Sequence, residues 1–409
     1  MMMVIKNKKR FDWQIVIYLL VLLFIGILSV YSASTTKTGD VFETENTYVK
    51  QIIWICVGLF VLFLILLIPY HFIEIIIIPG YILTNLLLIL VLFLPSINGS
   101  HRWIALGPFY FQPSELAKVF AILMVAKFIS KEHISDVKII FRTILILLPV
   151  FFLVALEPDL GTALTLVFVG IVMASVSDLQ TIWLILLLSP VISILLSFSS
   201  FVFFIFLILL VIYLYKSRLS ILGILFSTII NLFLFMITPV FWNQLKHYQQ
   251  ERILTFLDPS RDPFGAGYQI IQAKIAIGSG GLFGKGFLQG TQKNLQFLPE
   301  HHTDFIFSVI GEEFGFFGCA ILLLFYFVFL YRIAVSIKYL KRKEIRYSAV
   351  GILAYITFQF LINIGMNIGI MPTTGIPLPF ISYGGSNLVV NMISIGLIMK
   401  FLLERSVFD

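Results

Sequence analysis

Residues 1–34 read MMMVIKNKKRFDWQIVIYLLVLLFIGILSVYSAS. From Trp13 onward about twenty residues pass without a charge, the length a helix needs to cross a hydrocarbon core. Lys6, Lys8, Lys9 and Arg10 stand just before that run. A secretory signal has a shorter apolar core and a small-residue cleavage site, so the stretch reads as an uncleaved first span. The same pattern recurs at 49–69, 72–94, 114–130, 139–156, 160–177, 180–198, 201–215, 219–240, 305–331, 348–371 and 385–403. The run at 201–215 is short for a crossing and reads equally as a re-entrant piece. Composition agrees: 59% of residues are hydrophobic and 12% charged, with a mean hydropathy of +1.02, whereas a soluble domain carries about 25% charged residues. The expected fold is an all-α polytopic membrane protein. It is a helical bundle of 10–12 transmembrane helices with one large extracellular loop, in a single domain over 1–409.

The net charge of +7 does not point to nucleic acid, because the basic residues cluster in short loops between apolar runs, where they fix orientation. Beyond the first cluster these are Lys127, Lys131, Lys138 and Arg142; Lys216 and Arg218; Lys338, Lys341, Arg342, Lys343 and Arg346; and Lys400 with Arg405. Twelve spans place every cluster on one side, taken as cytoplasmic together with both termini; removing a single span would put the last two clusters outside. The segment 241–304 then lies outside, since long loops cross largely regardless of charge. It is too long for a passive connector, and such loops carry function. Cys56 and Cys319 each lie within an apolar run, with no CxxC spacing for a metal. The 42 phenylalanines read as packing and lipid-facing surface.

Polar residues gather in four places. Residues 265–290, GAGYQIIQAKIAIGSGGLFGKGFLQG, begin as an amphipathic helix suited to a membrane surface, with Ile270, Ile271, Ala273 and Ile277 on its apolar side and Gln269, Gln272 and Lys274 elsewhere. Glycines 278, 280, 281, 284 and 286 then permit close backbone approach; a glycine-rich connector is the alternative. The stretch LPEHHTDFIF at 298–307 sets Asp304 at the mouth of an apolar span, where a carboxylate must be paired or hydrated and apolar surroundings strengthen it as a base. Capping of the following helix by Thr303 or Asp304 is the competing reading. The adjacent His301 and His302 point apart on any regular backbone, which argues against a metal site.

In HRWIALGPFYFQPSELAK, 101–118, Glu115 and Lys118 share a helix face. Such a pair inside a membrane faces a cavity or forms a buried structural ion pair. Arg102 and Trp103 read as cavity residues or as an interfacial anchor. The third set, EPDLGT at 157–162, holds Glu157 and Asp159 at a helix junction. The fourth is Asn363, Asn367, Pro372, Pro377, Pro379 and the run Ser382-Tyr383-Gly384-Gly385-Ser386. Broken backbone of that kind survives at membrane depth only against protein or a cavity; a tight external turn is the alternative. The residues by themselves describe a polar cavity open to one side of a bundle, which fits an enzyme acting on a lipid-borne substrate and also a transporter.

Together these motifs resemble the SEDS family (shape, elongation, division and sporulation proteins). HRWIALGPFYFQPSELAK, EPDLGT, DPFGAGYQIIQAKIAIGSGGLFGKG, LPEHHTDFIF, GEEFGFFG and PLPFISYGGSN occur in the family's order across nearly the whole chain. Gly290-Thr291-Gln292 looks like the RodA elongation branch rather than the division or sporulation branches. One departure stands out: the family usually shows ten spans, and the stretch between Asp178 and Trp242 holds three apolar runs where one is usual.

The resemblance implies a peptidoglycan glycosyltransferase of the bacterial plasma membrane that polymerises lipid II (undecaprenyl-pyrophosphate disaccharide-pentapeptide) at the outer leaflet. It also implies a class B penicillin-binding transpeptidase and the elongation machinery as partners, besides the membrane lipids. The family's essential aspartate falls on Asp304 and its polar span-four pair on Glu115 and Lys118. Asp304 is expected as the base or the organiser of the acceptor. Lys118, with Arg102 or Lys285, would face the pyrophosphate, Glu115 would hold Lys118, and Asp159, Ser382 and Ser386 would line the substrate site. A divalent cation (Mg or Mn) could share the pyrophosphate charge, although no dedicated metal cage is visible. A lipid II flippase, a division or sporulation polymerase and an inactive scaffold for the transpeptidase remain the rival readings.

Overall fold

The computed structural model describes residues 11–38, 41–44, 46–95, 101–107, 109–131, 135–177, 179–244, 250–251, 254–256, 258, 261, 266–294 and 302–404. The first and last basic residues (Lys6, Lys8, Lys9, Arg10 and Arg405) and the segment 298–301, including His301, lie outside them.

Each expected span is a helix. They are α1 (Trp13–Ala33), α2 (Thr47–Leu67), α3 (Tyr70–Leu92), α4 (Pro113–Ile129), α5 (Asp136–Leu156), α6 (Leu160–Val176), α7 (Thr181–Leu196), α8 (Ser200–Lys216) and α9 (Ile221–Gln244). After two shorter helices, α10 (Ala266–Ser279) and α11 (Thr291–Asn294), come α12 (Ile306–Ile337), α13 (Lys343–Asn367) and α14 (Gly385–Glu404). Eight of them are long and apolar enough to cross a membrane, and α6, α7 and α8 are shorter apolar helices. The chain is a multi-pass membrane protein. The stretch 201–215 lies within one unbroken helix, α8, packed against α7 and α9. Two short antiparallel hairpins depart from a purely helical expectation: β1 (Thr35–Thr38) with β2 (Val41–Thr44), and β3 (Ile104–Leu106) with β4 (Phe109–Phe111).

Helix α14 is the most enclosed, with Met392, Ile395 and Ile398 fully buried. It lies along α2, where Gly58 lets Met392 approach: a Cβ there would sit 2.7 Å from the Met392 side chain. Helices α4, α6 and α13 complete the centre. The outer faces stay apolar; Phe201 is 77% and Ile221 80% exposed, as lipid-facing surface requires.

The two ends of the bundle differ in charge. At one end Asp12 binds Arg332 at 2.9 Å, joining the start of α1 to the end of α12. There Arg342 pairs with Glu74 and Glu344 at 3.2 and 2.9 Å, Lys127 donates to the Glu74 carbonyl, and Lys400 pairs with Glu404. The motif residues collect at the other end.

Candidate functional site

At the second end the chain enters α12 through a turn at 302–305. The turn is held by side chains from far along the chain. Asn363 and Asn367, fully buried on the last turns of α13, both donate to the Asp304 carbonyl, at 2.9 and 3.0 Å. The Asn367 side-chain oxygen accepts from the Ser308 N–H at 3.1 Å and from its hydroxyl at 2.6 Å. An amide from a neighbouring helix thus caps α12, and no side-chain cap comes from the residue preceding the helix. Ser382 donates to the Thr303 carbonyl at 2.6 Å while accepting from the Leu378 N–H, and the Tyr383 N–H donates to the His302 carbonyl. Asp304 itself is half-buried. Its carboxylate lies 3.6 Å from where a Cβ on Gly375 would sit, so the backbone at Gly375 (φ +73°) forms one wall beside it.

The loop that supplies Ser382 leads into α14, whose first turn meets the start of α4. Ser386 donates to the Tyr110 carbonyl and accepts from the Gln112 N–H. Asn387 donates to the Glu115 carboxylate at 2.9 Å. Glu115 also binds Lys118 at 2.9 Å, and the Lys118 ammonium lies 4.9 Å from the Tyr355 ring centre. Lys118 is only 2% exposed. It is walled in by Glu115 and Tyr355, the arrangement of a buried ion pair.

The Glu157–Asp159 turn packs beside this assembly, because a Cβ on Gly161 would lie 2.7 Å from the Ile376 side chain. Asp159 caps α6: it accepts from the Thr162 N–H and hydroxyl at 3.1 and 3.0 Å, and from Gln112 at 3.0 Å. Arg102 donates from Nε to the Glu157 carbonyl at 2.8 Å and from a terminal nitrogen to the Pro158 carbonyl. The Glu157 carboxylate is fully buried, and among the described residues neither oxygen has a hydrogen-bond partner. Burial first, then the neighbouring Asp159 charge, push it up to about 9, against the opposing pull of Arg102.

A second set of motifs interlocks along α12. The helix is broken at Gly315 (φ +65°, ψ −161°), and the glycine-rich stretch fills the break. Lys285 and Gly286 N–H donate to the carbonyls of Glu312 and Glu313, and Phe316 and Phe317 N–H donate to those of Gly281 and Leu282. Backbone groups freed by the break are thereby satisfied within protein. The approach is so close that a Cβ on Gly284 would lie 2.1 Å from the Glu313 carbonyl oxygen. The buried Glu312 carboxylate accepts from Lys285 Nζ at 2.7 Å and from the Thr291 and Gln292 N–H groups. The equally buried Glu313 accepts from Ser32 on α1. Helix α10 packs on α12 and α13 through Ile270, Ala273 and Ala276. Ala276 thus belongs to the inner face, and Ile271 is only half-buried. The apolar side of this helix meets protein rather than lying on a bare membrane surface.

The family model described as a cell cycle protein, that of FtsW, RodA and SpoVE, matches residues 12–207 and 186–406. The chain belongs to the FtsW/RodA/SpoVE family. The two matched segments overlap within α7 and α8, inside the tract of three apolar runs between 178 and 242. Peptidoglycan glycosyltransferase MrdB of Escherichia coli (strain K12) is 35% identical over 415 residues, covering 98% of each chain. A solved structure titled as the structural coordination of polymerization and crosslinking by a peptidoglycan synthase complex matches with a TM-score of 0.72 and 32% identity. It covers 97% of this chain and 98% of the other. The crystal structure of the rod shape determining protein RodA of Thermus thermophilus matches with a TM-score of 0.65 and 26% identity, covering 98% and 99%.

In this FtsW/RodA/SpoVE chain, then, Asp304, Ser382, Ser386, Glu115, Lys118, Asp159 and Arg102 belong to one connected end of the bundle. Lys285 stands apart, held on α12 by Glu312. The sequence reading missed Gln112, Glu312, Glu313, Asn387 and Lys274. Two carboxylates between glycines inside an apolar span were a usable signal for Glu312 and Glu313. Lys274 is exposed on α10 and packs against Gly369, where a Cβ would lie 2.5 Å from its Nζ. Among the described residues it has no ion-pair partner. Its neighbour Ala273 packs on Phe305, next to Asp304, which places a cation in the same locality.

Proposed function

We propose that this chain is a peptidoglycan glycosyltransferase that polymerises lipid II into β-1,4 glycan strands at the outer leaflet of the bacterial plasma membrane. The reading takes the Asp304 end of the bundle as outward and both termini as cytoplasmic. The gathering of Lys127, Arg342 and Lys400 at the opposite end supports that orientation. The observation that carries the assignment is Asp304: a half-buried carboxylate on a turn whose backbone is gripped by two buried amides. Such a grip fixes where the carboxylate stands. The kinship with rod-shape proteins supports a role in elongation and shape maintenance. The kinship with a complex of polymerization and crosslinking supports a class B penicillin-binding transpeptidase as partner.

An α-linked donor that yields a β link inverts its anomeric carbon, which a single displacement achieves. Asp304 takes the proton from the acceptor hydroxyl. The hydroxyl oxygen bonds to the anomeric carbon as the bond to the lipid pyrophosphate breaks, and the pyrophosphate leaves with the electron pair. Cations near the leaving group stabilise its charge. Lys274 and Arg102 fill this role, and the enclosed Glu115–Lys118 pair shapes the wall behind them. A divalent cation (Mg or Mn) would be held by the pyrophosphate oxygens and waters with one or two carboxylates rather than by a protein cage; among the described residues no cage of three His, Cys, Asp or Glu side chains is present.

Purified protein supplied with lipid II tests the assignment. Asp304→Asn keeps the side-chain shape and should lower polymerisation by about 10²–10⁴-fold, the worth of a general base. Glycan chains at wild-type rate from the folded variant would remove Asp304 from this role. Transfer of labelled lipid II across liposomes without joining would favour the flippase instead.

A further inference from the structure

A cavity of about 420 Å³ lies at the other end of the bundle, between the ends of α6 and α12 and the start of α13. Val176, Ala334, Val350 and Leu353 form its apolar walls, and Lys338 and Arg346 line it as well. Neighbouring cations at this end are engaged: Arg332 with Asp12, Arg342 with Glu74 and Glu344, and Lys400 with Glu404. Lys338 and Arg346 differ. Among the described residues neither has a carboxylate partner, and the Arg346 Nε is buried without a hydrogen-bond acceptor. The guanidinium only lies 5.5 Å from the Tyr347 ring centre. The buried Nε left without an acceptor is destabilising, and with the exposed Lys338 beside the half-buried Arg346 the cavity offers two unpaired cations to an anion.

We propose that this cavity binds the headgroup phosphate of an anionic membrane phospholipid, between Lys338 and Arg346. The position decides the source of the anion. The cavity sits at helix ends, where headgroups lie, and its deeper walls are apolar, as a glycerol and the first acyl carbons require. Basic pockets between transmembrane helices take anionic headgroups in this way. The volume falls in the range of small-molecule sites. The site is at the opposite end of α12 from Asp304, so it is separate from the polymerisation site and does not depend on that assignment.

Native mass spectrometry of the full-length protein, released from detergent after incubation with phosphatidylglycerol or phosphatidylcholine, tests the proposal. The wild type should retain one phosphatidylglycerol with about 30-fold preference over phosphatidylcholine, the combined worth of two surface cations. The double variant Lys338→Gln/Arg346→Gln should lose that preference. Val350→Trp fills the cavity without changing charge and should lose it too, which keeps the test decisive if the double variant folds poorly. Equal retention of both lipids by the wild type overturns the proposal, as does undiminished phosphatidylglycerol binding by both variants. Full displacement of the lipid by millimolar inorganic phosphate would mark a free-anion site and likewise overturn it.

Discussion

Replacing Glu157 by Gln should stabilise the protein at neutral and alkaline pH while leaving it nearly unchanged at pH 5. Glu157 is fully buried, and neither carboxylate oxygen has a hydrogen-bond partner among the described residues. Burial and the Asp159 charge raise it from an ordinary 4.5 to about 9. Between those values the folded chain keeps a proton that the unfolded chain has released. Stability is therefore complete below pH 4.5, declines as pH rises, and levels off above about 9. Each unit is worth about 1.4 kcal/mol, so the penalty at pH 7 is about 3 kcal/mol. Glutamine matches the shape of the protonated acid and cannot ionise. Melting temperatures of both proteins in detergent, taken from pH 5 to 9, should start together and diverge with rising pH, the variant ending several degrees higher. Parallel curves would refute the reasoning, because they would mean that Glu157 is hydrated or paired in solution.

Other expectations are briefer. Lys274→Gln should raise KM for lipid II several-fold with a smaller change in kcat, measured by single-substrate kinetics, if its charge meets the pyrophosphate before the reaction. Lys118→Met should destabilise by about 3–5 kcal/mol by stranding Glu115, whereas Glu115→Gln/Lys118→Met should lose much less; thermal melts of the two variants distinguish these. Gly284→Ala places a Cβ against the Glu313 carbonyl at a φ of +81° and should lower stability by more than about 2 kcal/mol. Gly278→Ala, in open space within α10, should instead stabilise by about 0.5–1 kcal/mol.

The spans were legible because the bilayer imposes one length on every apolar run: α1 was expected at 13–34 and observed at Trp13–Ala33. The largest boundary differences fall where charge misleads. Span ten was expected to stop at 331, yet α12 continues to Ile337 because Arg332 finds Asp12. Span eleven was expected from 348, yet α13 starts at Lys343, where Glu344 and Arg342 pair. The candidate site residues were legible as polar exceptions in apolar context, which is how Asp304, Glu115 and Asp159 were singled out. Their partners were not, since Asn387 reaches Glu115 across 272 positions. The break at Gly315 was equally hidden, because the glycine loop that repairs it lies elsewhere in the sequence.

On the proposed reading, in which Asp304 is the base, those distant partners explain why so many motifs surround one carboxylate. Asp304 lies two residues before α12, so its position is set by whatever fixes the first turns of that helix. Asn367 caps them from α13, Ser32 and Lys285 hold Glu313 and Glu312, and the glycine loop clamps the break at Gly315. Ser382 grips the preceding turn from the loop before α14. That loop is itself strained at Phe380 (φ +65°) and seated on Gly26 of α1, where a Cβ would come within 2.6 Å of the Phe380 carbonyl oxygen. Four segments therefore meet on about three turns of helix. A base displaced by an ångström loses much of its effect, so damage at Gly284, Ser32 or Asn367 should reach the reaction through Asp304 without touching substrate.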